Sequence, residues 1–247
     1  MINDQTIRIL KKMDLEPLVE GLYSQELDTQ VRLLPFDERL QMAIDHLYQE
    51  KHNSRVKGII KRAKLRNPEA DMTSVHFEKR SLDRHVLTEL GTCKYIHQQV
   101  SVIFQGFTGS GKTYLACALG KEACKKGLRT YYIRMPDLLM ERDVAAIKHQ
   151  GESKLLTKLA NFDLLIIDEW LLDDLLDNDL KFLLELLERR YDSHSTIYCT
   201  QFRKEDWHHR LGGGIHADAI MDRIVHRAVW FETGEMNMRE FSAKELS

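Results

Sequence analysis

Three glycines, a lysine and a threonine stand together at residues 106–113, GFTGSGKT. The spacing is G-x-x-x-x-G-K-[ST], the pattern of a loop that wraps phosphate. Gly106, Gly109 and Gly111 let the main chain curl so that its N–H groups point at an anion, and Phe107, Thr108 and Ser110 complete the same cradle. Lys112 is placed to reach β- and γ-phosphates, and Thr113 to set its hydroxyl on Mg²⁺. An apolar run, VSVIFQ, leads into the loop, and a helix-forming stretch, YLACALGKEA, follows it. The positive end of that helix then faces the same anion. ATP and Mg²⁺ are the ligands this segment implies.

About 55 residues on comes LLIIDE (164–169). Four apolar residues followed by two carboxylates read as a buried strand whose acidic tip lies at the ligand-binding edge of an α/β sheet. Asp168 is suited to hold Mg²⁺, and Glu169 to polarise an attacking water, which distinguishes a hydrolase from a nucleotide binder. A further strand, STIYCTQ (195–201), ends in polar groups. Thr200 or Gln201 can contact the γ-phosphate or the lytic water; the plainer role for Thr200 is to cap the next helix. In ADAIMDRIVHRA (217–228), Arg223 and Arg227 stand four residues apart on one side of a helix. On composition alone they are solvated or ion-paired, with Asp222 or Glu232 as partners for Arg223.

These groups need a scaffold, and the pattern around them supplies one. From about residue 81, short apolar runs alternate with helical periodicity: strands at 100–105, 129–134, 163–167, 195–200 and 228–232, helices at 112–126, within 136–160, at 177–191 and at 217–226. Alternation of this kind predicts a parallel sheet covered on both faces. Residues 4–66 read as helical, interrupted at Pro35, with a second helix from about 38. The expected organisation is a helical N-terminal domain (1–67), a linker (68–80) and an ATPase domain (81–247).

With 36 basic and 38 acidic residues, the net charge is −2. Bulk charge therefore names no nucleic-acid partner, and one must be held locally. One local patch exists: Lys51 to Arg66 carries seven Lys/Arg and no acid. Arg55, Lys57, Lys61, Arg62, Lys64 and Arg66 are the candidate DNA contacts there; the competing reading is an exposed helix face, or one packed on the acidic residues of 16–50. The four cysteines have no CxxC spacing, and the histidines near 208–226 lack metal-ligand spacing. No apolar run approaches ~18 residues and no signal peptide is evident, so a cytoplasmic chain without a membrane span is expected.

The order GFTGSGKT, LLIIDE, RRYDSHSTIYCTQ, EDWHHRLG and ADAIMDRIVHRA, preceded by FDERLQMAID and RVKGIIKRAKLR, resembles the IstB-type transposition helper ATPases of bacterial insertion sequences, members of the AAA+ initiator clade beside the helicase loader DnaC. The resemblance covers nearly the whole chain. It implies an α/β AAA+ core with strand order 5-1-4-3-2 and an all-α N-terminal domain. It also implies an ATP-dependent homo-oligomer on duplex DNA, with the active site shared between subunits, that assists a transposase. Arg223 matches the family's arginine finger, and the end of strand 195–200 its sensor. The extra helical element of the clade falls at 136–160, with Arg142, Lys148 and Lys154 as phosphate contacts. The short tail leaves no room for a helical lid, so Arg239 is the candidate to replace a lid arginine. A DnaC-like helicase loader is the alternative function. A small-molecule P-loop kinase is a third, opposed by the missing lid and the appended helical region.

Overall fold

A computed structural model describes residues 3–77, 82–234, 236–238, 240 and 241. Arg239 and part of the 68–80 stretch lie outside the described residues. The chain divides into two compact units, Met1–Gly58 and Ile59–Ser247.

The first unit holds helices α1 (Asp4–Lys12), α2 (Glu16–Leu27) and most of α3 (Phe36–Ala63). Asn3 caps α1 by accepting from Thr6 N at 2.8 Å, and Pro17 sits in the first turn of α2, where its missing N–H costs nothing. Gly21 allows α2 and α3 to cross closely: a Cβ there would lie 3.2 Å from His46 Cδ2. Gln25 fastens the crossing by donating to Arg39 O at 2.7 Å.

The division between the units falls inside α3, ahead of the end expected for the helical domain. Ile59, Ala63, Leu65, Ala70 and Val75 are all buried in the core of the second unit. The connector 64–77 therefore packs as part of the second unit, because its apolar residues leave water there.

The second unit continues with α4 (Arg84–Gly91), α5 (Lys94–His97), β1 (Ser101–Gln105), α6 (Lys112–Lys125), β2 (Thr130–Arg134), α7 (Met135–Ala146) and α8 (Gly151–Ala160). It ends with β3 (Leu164–Asp168), α9 (Asp177–Arg190), β4 (Ser195–Thr200), α10 (Lys204–Arg210), α11 (Gly214–Val225) and β5 (Ala228–Glu232). The five strands form one sheet in the order β2-β3-β4-β1-β5, every pair parallel. This is the AAA+ order. Period-two alternation splits the strand residues between two cores. Val102, Phe104, Leu164, Ile166, Ile197 and Cys199 face one core, with α6. Ile103, Leu165, Ile167 and Tyr198 face the other, with helices α7 to α11. In the second core the rings of Trp170, Trp207 and Trp230 follow one another, at 5.8 and 5.3 Å between centroids. All four cysteines are buried and unpaired, and no helix of the described residues is long and apolar enough to cross a membrane.

One buried cation ties the sheet to its helices. Arg190, 2% exposed, donates to Leu159 O, Ala160 O and Phe162 O at 3.0, 3.2 and 2.8 Å, to Thr196 Oγ1 at 3.0 Å and to Ser195 O. The guanidinium fork meets the carbonyl end of α8, where the helix dipole is negative. Burial pulls its pKa down to about 10, so it stays charged at neutral pH. Replacing it leaves several carbonyls buried without donors. Arg190→Met is expected to destabilise the second unit by roughly 3–5 kcal/mol, read as a lower urea midpoint, with Arg190→Lys intermediate.

Candidate nucleotide site

The site forms where three loops leave the same edge of the sheet. After β1 the chain enters the glycine-rich loop. Gly111 has φ +90° and starts α6, and Gly109 has φ +89°, both left-handed conformations that glycine adopts without strain. A Cβ on Gly109 would also lie 2.5 Å from Asn237 Oδ1. Lys112 is 9% exposed and bends back over the loop, its Nζ donating to Gly106 O at 2.7 Å and Phe107 O at 2.8 Å. Thr108 Oγ1 donates to Gln201 Oε1 at 2.9 Å.

Asp168 ends β3 at 2% exposure and is fully engaged. Its Oδ2 accepts from Thr113 Oγ1 at 2.7 Å and from Tyr132 OH at 2.8 Å, and its Oδ1 accepts from Glu169 N at 2.8 Å. Burial and the neighbouring Asp168 charge push the Tyr132 phenol pKa far up, so it remains a donor. A hydroxyl and a carboxylate in contact at the strand tip form a small set of hard oxygen donors. That set fits Mg²⁺, which is held by one or two protein oxygens and completes its shell with water and phosphate. No cluster of three or more His, Cys, Asp or Glu suited to a metal occurs among the described residues.

Glu169 has φ +58°, an uncommon conformation for a side chain of this kind. Its carboxylate lies between two arginines: Oε1 is 3.3 Å from Arg66, and Oε2 is 3.5 Å from Arg134, which also makes two 2.8 Å bonds to Asp137. Arg66, Lys112, Thr113, Asp168, Glu169 and Gln201 line a cavity of about 250 Å³, with Trp170 and Cys199 in its wall. The segment after β5 closes over the loop: Ser110 Oγ and Thr233 Oγ1 are 2.6 Å apart, and Met238 N donates to Gly109 O at 2.8 Å.

Several residues singled out in the sequence do other work. The Thr200 hydroxyl donates to Trp170 O and accepts from Phe202 N, both at 3.1 Å, with the residue 1% exposed. It is spent on the strand-to-loop turn, and Gln201 is the residue that faces the cavity. Arg142 cannot meet DNA: it is buried on α7, ion-paired with Asp179 of α9. Arg66, also expected on DNA, is half-exposed and sits beside Glu169. Arg223 does not line the cavity; it pairs with Asp222 at 3.9 Å, as the sequence suggested, and with Glu188 of α9, which the sequence did not suggest, and donates to Ala219 O at 3.1 Å. Arg227 pairs with Asp192. Arg55, Lys57, Lys61, Arg62, Lys64 and Lys148 are exposed. Missed in the sequence were Tyr132, Arg134, Thr233 and the 236–238 segment. The first two lie on β2, beside the acidic strand, with Arg134 in register with Asp168, which is a signal the register of a parallel sheet makes available.

The chain is similar in sequence and in fold to known proteins. An insertion sequence ATP-binding protein of Sinorhizobium fredii is 31% identical over 242 residues, covering 97% of this chain and 96% of that one. Another from Pseudomonas fluorescens is 33% identical over 204 residues, covering 81% and 87%. Among solved structures, the DnaC helicase loader superposes with a TM-score of 0.56 at 23% identity, over 66% of this chain and 96% of that one, a likeness of fold. Residues 8–245 match the family described as IstB-like ATP binding protein. With a phosphate loop, an acidic strand tip and relatives spanning its full length, the chain belongs to the IstB-like ATP binding protein family.

Proposed function

We propose that the chain is a magnesium-dependent ATP hydrolase that assembles on duplex DNA and assists the transposase of an insertion sequence. The observation that carries the hydrolase reading is the 2.7 Å contact between Thr113 and Asp168, beside Lys112 and Glu169 in one cavity. On this reading ATP enters with its phosphates against the 106–113 loop, and Lys112 exchanges the Gly106 and Phe107 carbonyls for phosphate oxygens. Thr113 and Asp168 would hold Mg²⁺, which would supply positive charge to offset that of the phosphates. Glu169 accepts the proton of the attacking water as its oxygen bonds to the γ-phosphorus and the bond to the β-bridging oxygen breaks, leaving ADP and phosphate. Gln201, facing Thr108 across the cavity, takes the sensing role.

Arg223 lies away from its own chain's cavity, so on this reading it serves the site of a second copy. It must first leave Glu188, a surface pair of small energetic weight. Exposed Arg55, Lys57, Lys61, Arg62, Lys64 and Lys148 are the remaining candidates for DNA phosphates, giving steep salt dependence and weak sequence preference. The insertion-sequence relatives support transposition. The helicase-loader alternative has a fold likeness behind it, and capture of a transposase rather than a replicative helicase separates the two. Hydrolysis that rises with protein concentration and with duplex DNA is the direct test of the whole reading; a DNA-indifferent monomer would remove it.

Glu169→Gln is expected to keep ATP binding and lose turnover by roughly 10²–10³, while Lys112→Ala loses binding; titration with a fluorescent ATP analogue beside a phosphate-release assay checks both. If Arg223 acts between copies, mixing Arg223→Ala with Lys112→Ala chains restores part of the hydrolysis that each lacks alone. Charge reversal at Lys57, Lys61 and Arg62 should weaken duplex binding and lower the salt slope by about 0.9 for each DNA phosphate no longer neutralised, measured by anisotropy across a salt series.

A further inference from the structure

Glu169 is a long side chain on a strained residue, at the end of a strand, beside a cavity. For it to polarise a water it must be held in one rotamer, and the sheet supplies only one of the two groups that hold it. Arg134 closes β2 and reaches Oε2. The other group, Arg66, comes from the connector, outside the sheet altogether, and reaches Oε1 at 3.3 Å.

The connector is fixed on both sides of Arg66, and both anchors lie on α6, the helix that carries Lys112 and Thr113. Before it, Leu65 is 7% exposed and packs where α6 has no side chain: a Cβ on Gly120 would lie 3.0 Å from Leu65 Cδ2. After it, Ala70 is 1% exposed, and Asp71 straddles α6. The Asp71 N–H donates to Tyr114 OH, which in turn donates to Asp71 O, each at 3.3 Å, and the Asp71 carboxylate meets Lys125 and Lys121 at 3.5 and 3.8 Å. Bonds from Thr73 hold that carboxyl down at about 2, so it is ionised throughout the neutral range. Arg66 is thus presented by a short, doubly anchored span. Hydrogen bonding to Tyr132, with the charges of Asp168 and Glu169 adding to it, holds its guanidinium above the ordinary arginine value.

We infer that Arg66 is a positioning residue for ATP hydrolysis, holding the Glu169 carboxylate in its working orientation from outside the sheet. The inference rests on Glu169 as the group that activates water. An exposed ion pair contributes little to stability, and Arg66 is 47% exposed; its effect is on orientation, where a small displacement of a catalytic group is costly. The carboxylate keeps lone pairs for a water while it accepts from Arg66 and pairs with Arg134.

Single-turnover hydrolysis, with nucleotide affinity measured separately, tests this on four full-length proteins: Arg66→Ala, Arg66→Lys, Glu169→Gln and the Arg66→Ala/Glu169→Gln double variant. Arg66→Ala is expected to lower the rate constant roughly tenfold with ATP affinity and melting temperature close to the parent, and Arg66→Lys to recover part of the loss. On the Glu169→Gln background, Arg66→Ala should cost nothing further, because its only route to the reaction has been removed. A parental or faster rate for Arg66→Ala, the same tenfold loss on the Glu169→Gln background, or a loss explained by weaker ATP binding each overturns the inference while leaving Glu169 in its role. Parental turnover by Glu169→Gln overturns the role of Glu169, and this inference with it.

Discussion

The hydrogen bond from Thr113 to Asp168 sets the geometry of everything around it. The two residues follow strands that are not neighbours, since β4 lies between β1 and β3. The loop after β1 must therefore pass over the end of β4 to bring α6 to the tip of β3. At that crossing Gly106 N donates to Thr200 O at 3.1 Å, and Cys199, second from the end of β4, is buried in the cavity wall. The glycines that curl the loop, the close fit of α6 on the sheet and the three donors converging on Asp168 all follow from that crossing. A hydrogen bond to an ionised acceptor contributes about 1.5–3 kcal/mol, and Asp168 holds three while almost wholly out of water.

The arginines divide by what their surroundings leave them to do. Arg190 and Arg142 are buried, and their donors satisfy carbonyls and a carboxylate that the fold has already desolvated. Arg66 and Arg134 lie beside Glu169, where a cation can hold a carboxylate and remain in reach of an anion. Arg223 and Arg227 are partly exposed, each on an acid of its own unit. The same residue type thus supplies internal scaffolding, local orientation and an outward-facing charge.

The fold and the centre of the site were legible because their signals are contiguous. GFTGSGKT sits between a strand and a helix, LLIIDE is an apolar run ending in acid, and the strands and helices alternate as a parallel sheet requires. The strand order itself came from the family resemblance, since no window of sequence says which strand neighbours which. Side-chain direction was the harder part. Arg142 lies four residues after Leu138 on the buried face of α7, a spacing that argues for the interior, while its charge argues for the surface; Asp179 opposite it decides for the interior. Thr200 looked like a sensor because it ends a strand, but its hydroxyl turns back to the chain. Arg66 looked like the last member of a basic run, but the apolar residues on either side of it belong to another core. Where the helical domain ends was obscured for the same reason: α3 continues without a break in periodicity while the packing partner of its residues changes.

The chain has three tryptophans, and all of them stand in one file that begins in the wall of the nucleotide cavity and ends on β5. Their rings are close enough to exchange excitation, so tryptophan emission from this protein behaves as a single optical antenna rather than three scattered lamps. Its colour and intensity answer to events around Trp170 and the edge strand. The unit Met1–Gly58 holds no tryptophan and is dark in that channel.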